Sequence, residues 1–226
     1  MGKVVRRKIV GRKIVRIYTD GSCLCNPGHG GWGYVILIGS KEEFEELEGA
    51  AKNCVSDNDS IKKFEGSGYV KHATNNRMEL LAVTKALEKL EKILDETQEI
   101  AQCSAGSIVH DITGVTDSEI QGIEIYSDSA YVINAFNLGW ISKWQKNGWK
   151  TSSRKSRKSR NEKSRGQKKS VENIDMWKEL LLRIDEIAVV TGCNVTFHKV
   201  PGHSGIEWNE RADKLASSAC RSIENN

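Results

Sequence analysis

No uninterrupted apolar stretch in the 226 residues approaches the roughly 20 needed to cross a bilayer, so no membrane-spanning helix and no membrane partner are expected. The opening "MGKVVRRKIVGRK" lacks the apolar core of a secretion signal. Its sixth residue is Arg6, where a myristoylation motif takes Ser or Thr. The same segment is arginine-rich like a transit peptide but lacks the usual serines. The six cysteines, at 23, 25, 54, 103, 193 and 220, form no recognisable disulfide ladder. Without a secretion signal they are expected as reduced thiols. Together these absences point to a soluble intracellular protein, cytoplasmic or nuclear, with the mitochondrion left open.

Charge is present but segregated. Lys150 to Ser170, "KTSSRKSRKSRNEKSRGQKKS", holds ten Lys or Arg against Glu162 alone, which is +9 within a chain of net +4 and leaves about −5 for the rest. Lys3, Arg6, Arg7, Lys8, Arg12, Lys13 and Arg16 form a second basic cluster. Segregated positive charge suits a polyanionic partner; a solvated loop or a nuclear-import signal is the plainer alternative. The length suits one domain, with or without large insertions.

Strands are expected at "KIVRIYTD" (13–20), "GWGYVILIG" (31–39), 63–73, "GIEIYSD" (122–128) and "NVTFHKV" (194–200). Residues 20–30 read as a Gly/Pro-punctuated connection, and 40–63 and 95–120 as polar insertions, the first holding a short helix. Apolar residues at helical spacing from Arg77 to Leu94 predict a helix. Others are expected at 129–136, from about Ile141, at 171–190 and at 207–223. That order of elements gives a mixed α/β sheet with helices on its faces.

Four acids lie at element ends, and each has an ordinary structural explanation. Asp20-Gly21 is a turn dipeptide. Glu79, three residues after Asn76, fits a capping box with Asn76 as N-cap. Asp128 stands where an N-cap belongs, and Asp213 lies among charged neighbours on a helix. Taken together they read differently. Asp20 and Asp128 end matching apolar runs and share one sheet edge if those strands are parallel neighbours. An all-oxygen cluster of this kind binds Mg²⁺ or Mn²⁺, and like-charge repulsion demands such a cation. Two ions about 4 Å apart are suited to phosphodiester hydrolysis.

"YTDGSCLCNPGHGGWGYV", "TNNRMELLAV", "IYSDSAYVINAF" and "KVPGHSGIEWNERADKLA" resemble, in order, the four signature blocks of type 1 ribonuclease H. "GWISKWQKNGWKT" with "VENIDMWKEL" resembles that family's basic protrusion and the helix after it. The resemblance implies a ribonuclease H-like five-stranded mixed sheet flanked by helices, with a basic protrusion. It spans 12–223, with insertions near 40–63, 95–120 and 151–169, behind a basic lead at 1–11. It also implies endonucleolytic cleavage of the RNA strand of RNA–DNA hybrids by two metal ions (Mg²⁺, with Mn²⁺ as substitute), leaving 5′-phosphate and 3′-hydroxyl ends. Asp20, Glu79, Asp128 and Asp213 match the metal-binding acids, and His203 a mobile loop histidine that assists proton transfer or product departure. Cys23, Asn26, Asn75 and Asn76 match contacts to the RNA strand. Thr74 matches a grip on a DNA phosphate, and Trp140, Lys143, Trp144, Lys146, Trp149 and Lys150 the face that straddles the DNA strand. A monomer is expected, its nonspecific nucleic-acid affinity raised by the tract 150–170.

One position departs from the family: Ala130 stands where many bacterial members have glutamine, so one RNA contact is missing or supplied elsewhere. Three rival readings remain: a non-catalytic hybrid-binding protein, an integrase- or transposase-like nuclease on the same fold, and the nuclease domain of a retroelement polyprotein. A zinc site using His198 and His203 with Cys23 and Cys25 is disfavoured. Cys-x-Cys is tighter than structural zinc spacings, and the two histidines belong to a strand and a loop.

Overall fold

A computed structural model describes residues 12–50, 60–103, 119–151 and 169–222. β1 (Lys13–Cys23), β2 (Gly28–Ser40) and β3 (Lys62–Ala73) form an antiparallel meander. β4 (Ile120–Ser127) and β7 (Val195–Lys199) add in parallel on the other side of β1, giving the order β3-β2-β1-β4-β7. The five strands are those expected. β1 and β2, however, run further than their apolar segments, because Asp20 to Cys23 pairs in register with Gly33 to Gly30. The glycine-rich connection expected at 20–30 therefore shrinks to a short turn, closed by Leu24 N–H on the His29 carbonyl at 3.0 Å.

Helix α1 (Lys41–Ala50) occupies the first expected insertion. Ser40 caps it reciprocally with Glu43: the Glu43 N–H donates to Ser40 Oγ at 3.2 Å, and Ser40 N–H to Glu43 Oε2 at 2.6 Å. Helix α2 (Asn75–Cys103) extends past Leu94, since "DETQEIAQC" contains no helix breaker. The expected insertion at 95–120 is thus helical to Cys103, and 104–118 lies outside the described residues. α3 (Ala130–Asn137), α4 (Trp140–Lys146), α5 (Ile174–Thr191) and α6 (Glu207–Ser222) complete the helices. Between α4 and α5, the two-residue strands β5 (Lys150–Thr151) and β6 (Lys169–Ser170) pair antiparallel. They close the base of the basic tract, whose residues 152–168 lie outside the described set, as does the lead at 1–11.

The alternation of apolar side chains along β1, β2 and β4 builds a core on each face of the sheet. On one face Val15, Ile17, Ile36, Ile123 and Ile125 pack under Leu80, Leu87 and Leu90 of α2 and Trp177 of α5. On the other, Tyr18, Val35 and Leu37 meet Phe44 of α1 and Ala212 of α6. Arg77 near the start of α2 pairs with Asp175 at the start of α5 at 3.0 Å, tying the two helix N-termini together. No helix among the described residues is long and apolar enough to cross a membrane.

Candidate active site

Each of the four acids is set by a local sequence feature, and none keeps the structural role its position suggests. Asp20 lies within β1 opposite Gly33, so Asp-Gly makes no turn here. Gly21 instead lets α2 approach: a Cβ there would fall on backbone atoms of Met78 and Glu79. Bare backbone at residue 21 is what places Glu79 beside Asp20. Nor does Glu79 complete a capping box on Asn76. The helix starts two residues earlier, with Met78 N–H bonded to the Thr74 carbonyl at 3.1 Å. Asp128 follows β4, but the N-cap of α3 is Ser129, whose side chain accepts from Val132 N–H at 3.4 Å. On α6, Gly31 and Gly33 of β2 face Ala212 and Ala216, so helix and strand pack backbone to backbone. That close approach brings Asp213, half-buried, to the same end of the sheet.

The result is one cavity of about 300 Å³, lined by all four acids together with His203, Asn209, Glu210, Asn75 and the strand segment Gly21 to Cys23. Carboxylate oxygens of Asp20, Glu79 and Asp128 lie within 4.8 Å of one another. Burial, then the charges of Asp128 and Asp213, push the Asp20 carboxyl up to about 7. Burial, followed by Asp20 and Asp128, raises Glu79 well above the usual carboxylate range. Glu79 Oε2 is buried with no hydrogen-bond partner among the described residues. An all-oxygen set of mutually repelling carboxylates with an orphaned oxygen is chemically fitted to a hard divalent cation.

His203 stands at the rim. Its side chain is 86% exposed and its Nδ1 lies 3.9 Å from Asp213 Oδ2. Its backbone is left-handed, at φ +50°. The loop around it is pinned where Gly205 N–H donates to Glu210 Oε1 at 2.8 Å. Ser217 Oγ donates to Asp213 Oδ1 at 3.1 Å and fixes that carboxylate from the other side. Of the zinc alternative's ligands, His198 stacks on Tyr126 within the sheet while His203 faces Asp213. Asn209 and Glu210 belong to the cavity without belonging to any pattern of acids in the sequence. Their one signal is spacing, since Asn209 and Asp213 are one helical turn apart on α6.

The residues matched to the RNA strand divide. Cys23 and Asn75 line the cavity, with burial pushing the Cys23 thiol up. Asn26 braces the groove, its Oδ1 accepting from Asn75 N–H at 3.3 Å. Asn76 stands in the first turn of α2 and Thr74 just before it, both outside the cavity lining. On the projection, Trp140, Trp144 and Trp149 pack partly buried against the core, and Trp144 meets Trp177 edge-on at 5.5 Å. Lys143, Lys146 and Lys150 are exposed. Ala130 is exposed at the start of α3.

The RNase H family model matches residues 12–221. The chain belongs to the ribonuclease H family. It is 36% identical over 209 residues to the Ribonuclease H of Chlorobaculum parvum, covering 92% of this chain and 97% of that protein. To the Ribonuclease H of Chlorobium phaeobacteroides strain BS1 it is 38% identical over 215 residues, covering 95% and 99%. Among solved structures, it resembles LC9-RNase H1, described as a type 1 RNase H with the type 2 active-site motif, with a TM-score of 0.56. The identity is 22%, over 92% of this chain and 72% of that one. The foamy viral protease-reverse transcriptase in complex with RNA/DNA hybrid shares the fold at a TM-score of 0.52 and 16% identity. There 94% of this chain aligns with 21% of that one. As a member of this family the chain is a hydrolase and a nuclease.

Proposed function

We propose that this ribonuclease H cleaves the RNA strand of RNA–DNA hybrids endonucleolytically, leaving 5′-phosphate and 3′-hydroxyl ends. The observation that carries the reading is the convergence of Asp20, Glu79 and Asp128 oxygens within 4.8 Å in a cavity that also holds Asp213 and His203. The four acids would hold two divalent cations, Mg²⁺ with Mn²⁺ as substitute. When bound, these offset the acids' repulsion and stabilise negative charge developing on the phosphate.

The remaining chemistry belongs to the chain's own groups. Asp213 faces the His203 imidazole, which is exposed and suited to exchanging a proton with a reacting oxygen near neutral pH. Cys23 and Asn75, braced by Asn26 and followed by Asn76, present small polar groups and backbone to the ribose side of the RNA strand. Thr74 meets a DNA phosphate. Lys143, Lys146 and Lys150 meet others, with Trp140, Trp144 and Trp149 shaping the surface between them. The tract 150–170 adds salt-sensitive affinity without sequence preference, and the protein acts as a monomer. The hybrid seen with the foamy viral enzyme of the same fold supports this choice of substrate.

The test is a gel assay of end-labelled hybrid, duplex DNA and duplex RNA, each with Mg²⁺ and with EDTA. Cleavage of the hybrid's RNA strand alone, abolished by EDTA, is expected. Binding of hybrid without any Mg²⁺-dependent cleavage would establish a non-catalytic binder instead.

A further inference from the structure

Asn209 is 3% exposed, lies on α6 one turn before Asp213, and forms part of the cavity wall. Its Oδ1 is buried without a hydrogen-bond partner among the described residues. A buried polar group left unpaired keeps the full cost of its lost hydration. The stripe of α6 that continues from it consists of Ala212, Ala216 and Cys220, packed against β2. An apolar side chain at 209 would extend that packing at no such cost, so the amide weakens the fold unless something in the cavity offsets it.

The chemistry of the cavity narrows what that something is. Asp20, Glu79, Asp128, Asp213 and Glu210 offer acceptors when ionised, and a phosphodiester offers acceptors too. Of what enters the cavity, a water, a ribose hydroxyl or a divalent cation can meet Oδ1; the four carboxylates beside it are the stronger cation ligands, which leaves a water or a ribose hydroxyl. Asn209 sits on the Asp213 and His203 side, on α6, whereas Cys23 and Asn75 of the expected RNA groove belong to β1 and α2. At 3% exposure the Asn209 side chain favours a partner as small as a water over a ribose.

We infer that Asn209 is a positioning residue: its Oδ1 accepts a hydrogen bond from the water that attacks the scissile phosphate, and so orients that water's lone pair. This rests on the reading of the chain as a hybrid-cleaving ribonuclease. In the step concerned, the water oxygen bonds phosphorus and the P–O3′ bond breaks. One water proton passes to a base in the cavity, and the ribose 3′ oxygen takes up a proton.

The experiment compares the full-length parental chain with Asn209→Leu, which keeps the branched shape and heavy-atom count but is apolar, and Asn209→Ser, which keeps a shorter acceptor. Melting temperature and hybrid affinity are measured in EDTA, and single-turnover cleavage of saturating hybrid in Mg²⁺. For Asn209→Leu the expected result is an unchanged or raised melting temperature, hybrid affinity within about twofold, and a single-turnover rate down by about 10–100-fold. Asn209→Ser should recover part of that rate. The inference is overturned by an unchanged rate in both variants. Equally damaging is a rate loss that only tracks a fall in melting temperature, which makes Asn209 a packing residue. A loss confined to hybrid affinity would assign Oδ1 to a ribose hydroxyl instead. A parental chain that cuts no hybrid removes the functional reading and this inference with it, whereas an active parent with unaffected variants removes the inference alone.

Discussion

The acidic cavity and the tryptophan-lysine projection are built on opposite principles. In the cavity, Asp20 and Glu79 are each 8% exposed, repel one another, and leave Glu79 Oε2 unpaired. Those groups do nothing for the fold that neutral residues would not do better. In the projection, Trp144 and Trp149 pack toward Trp177, whose indole N–H donates to Tyr131 Oη at 3.0 Å. The exposed lysines there are laid over residues the fold needs anyway. Removing a cavity side chain should therefore cost activity and spare stability, and removing a projection aromatic should do the reverse.

The largest effect is expected from Asp128→Asn. Asp128 caps no helix, so the variant should fold and bind hybrid as the parent does. Its cleavage rate in Mg²⁺ should fall by at least about 10³-fold, the scale of several kcal/mol of charge stabilisation. A folded, hybrid-bound Asp128→Asn enzyme cutting at the parental rate would sink the catalytic assignment. Next comes Trp177→Ala, which removes the α5 residue on which the projection's aromatics rest. Its side chain is fully buried among Tyr131, Phe136 and Trp144. A loss of about 3–5 kcal/mol in denaturant unfolding is expected, with the residual folded fraction still cleaving. A stable but inactive Trp177→Ala protein would break the contrast.

The same contrast governs what the amino-acid sequence discloses by itself. The strands and most helices are legible because apolar alternation and helical spacing are strong where one face is buried. The four acids are legible only as a set. Singly, Asp20-Gly21 looks like a turn, Asn76 and Asp128 like caps, and Asp213 like an exposed charge. The fold overturns these readings: Gly21 is bare so that α2 can approach, Thr74 and Ser129 take the two cap positions, and Asp213 is half-buried in the cavity wall. Asn209 is barely legible because its one signal in "EWNERADK", a spacing of one turn from Asp213, acquires meaning only from being buried beside a cavity. In the projection the helical spacing of the tryptophans is legible as packing, which Trp140, Trp144 and Trp149 make against the core.

Smaller, and specific to the cavity, is a pH effect on the protein in EDTA. The Asp20 carboxyl is raised in the folded state to about 7 from 3.8, so between those values the folded state holds the proton more tightly than the unfolded chain. Stability contributed by this group is complete below the unfolded pKa and is lost as pH rises toward 7, to the extent of about 2–4 kcal/mol. Asp20→Asn should remove that slope and melt higher than the parent at pH 8, while losing cleavage. Mg²⁺ should raise the parent's melting temperature more at pH 8 than at pH 5, and an equal rise at both would argue against Asp20 as a ligand.

The smallest effect belongs to the exposed cations of the projection. Lys143 and Lys146 stand in the last turn of α4 and Lys150 in β5, all exposed, so replacing them with Ala removes little packing. Melting temperature should hold to within a degree or two, since surface substitutions of this kind stay within about 0.5 kcal/mol. Hybrid affinity should weaken, and the slope of log affinity against log salt should become shallower by up to about 0.9 for each phosphate no longer neutralised. Cleavage of saturating hybrid should be unchanged, because the three lysines lie outside the catalytic cavity. Deleting 152–168 from the parent and from the triple variant then separates two sources of charge. If the lysines meet phosphate directly, their effect on the slope persists in the shortened chain. If they only add to a diffuse positive field dominated by the tract, the triple substitution leaves the shortened chain's slope where it was. That second outcome would move the hybrid-binding role from the projection to the tract and leave Trp140, Trp144 and Trp149 as core residues alone.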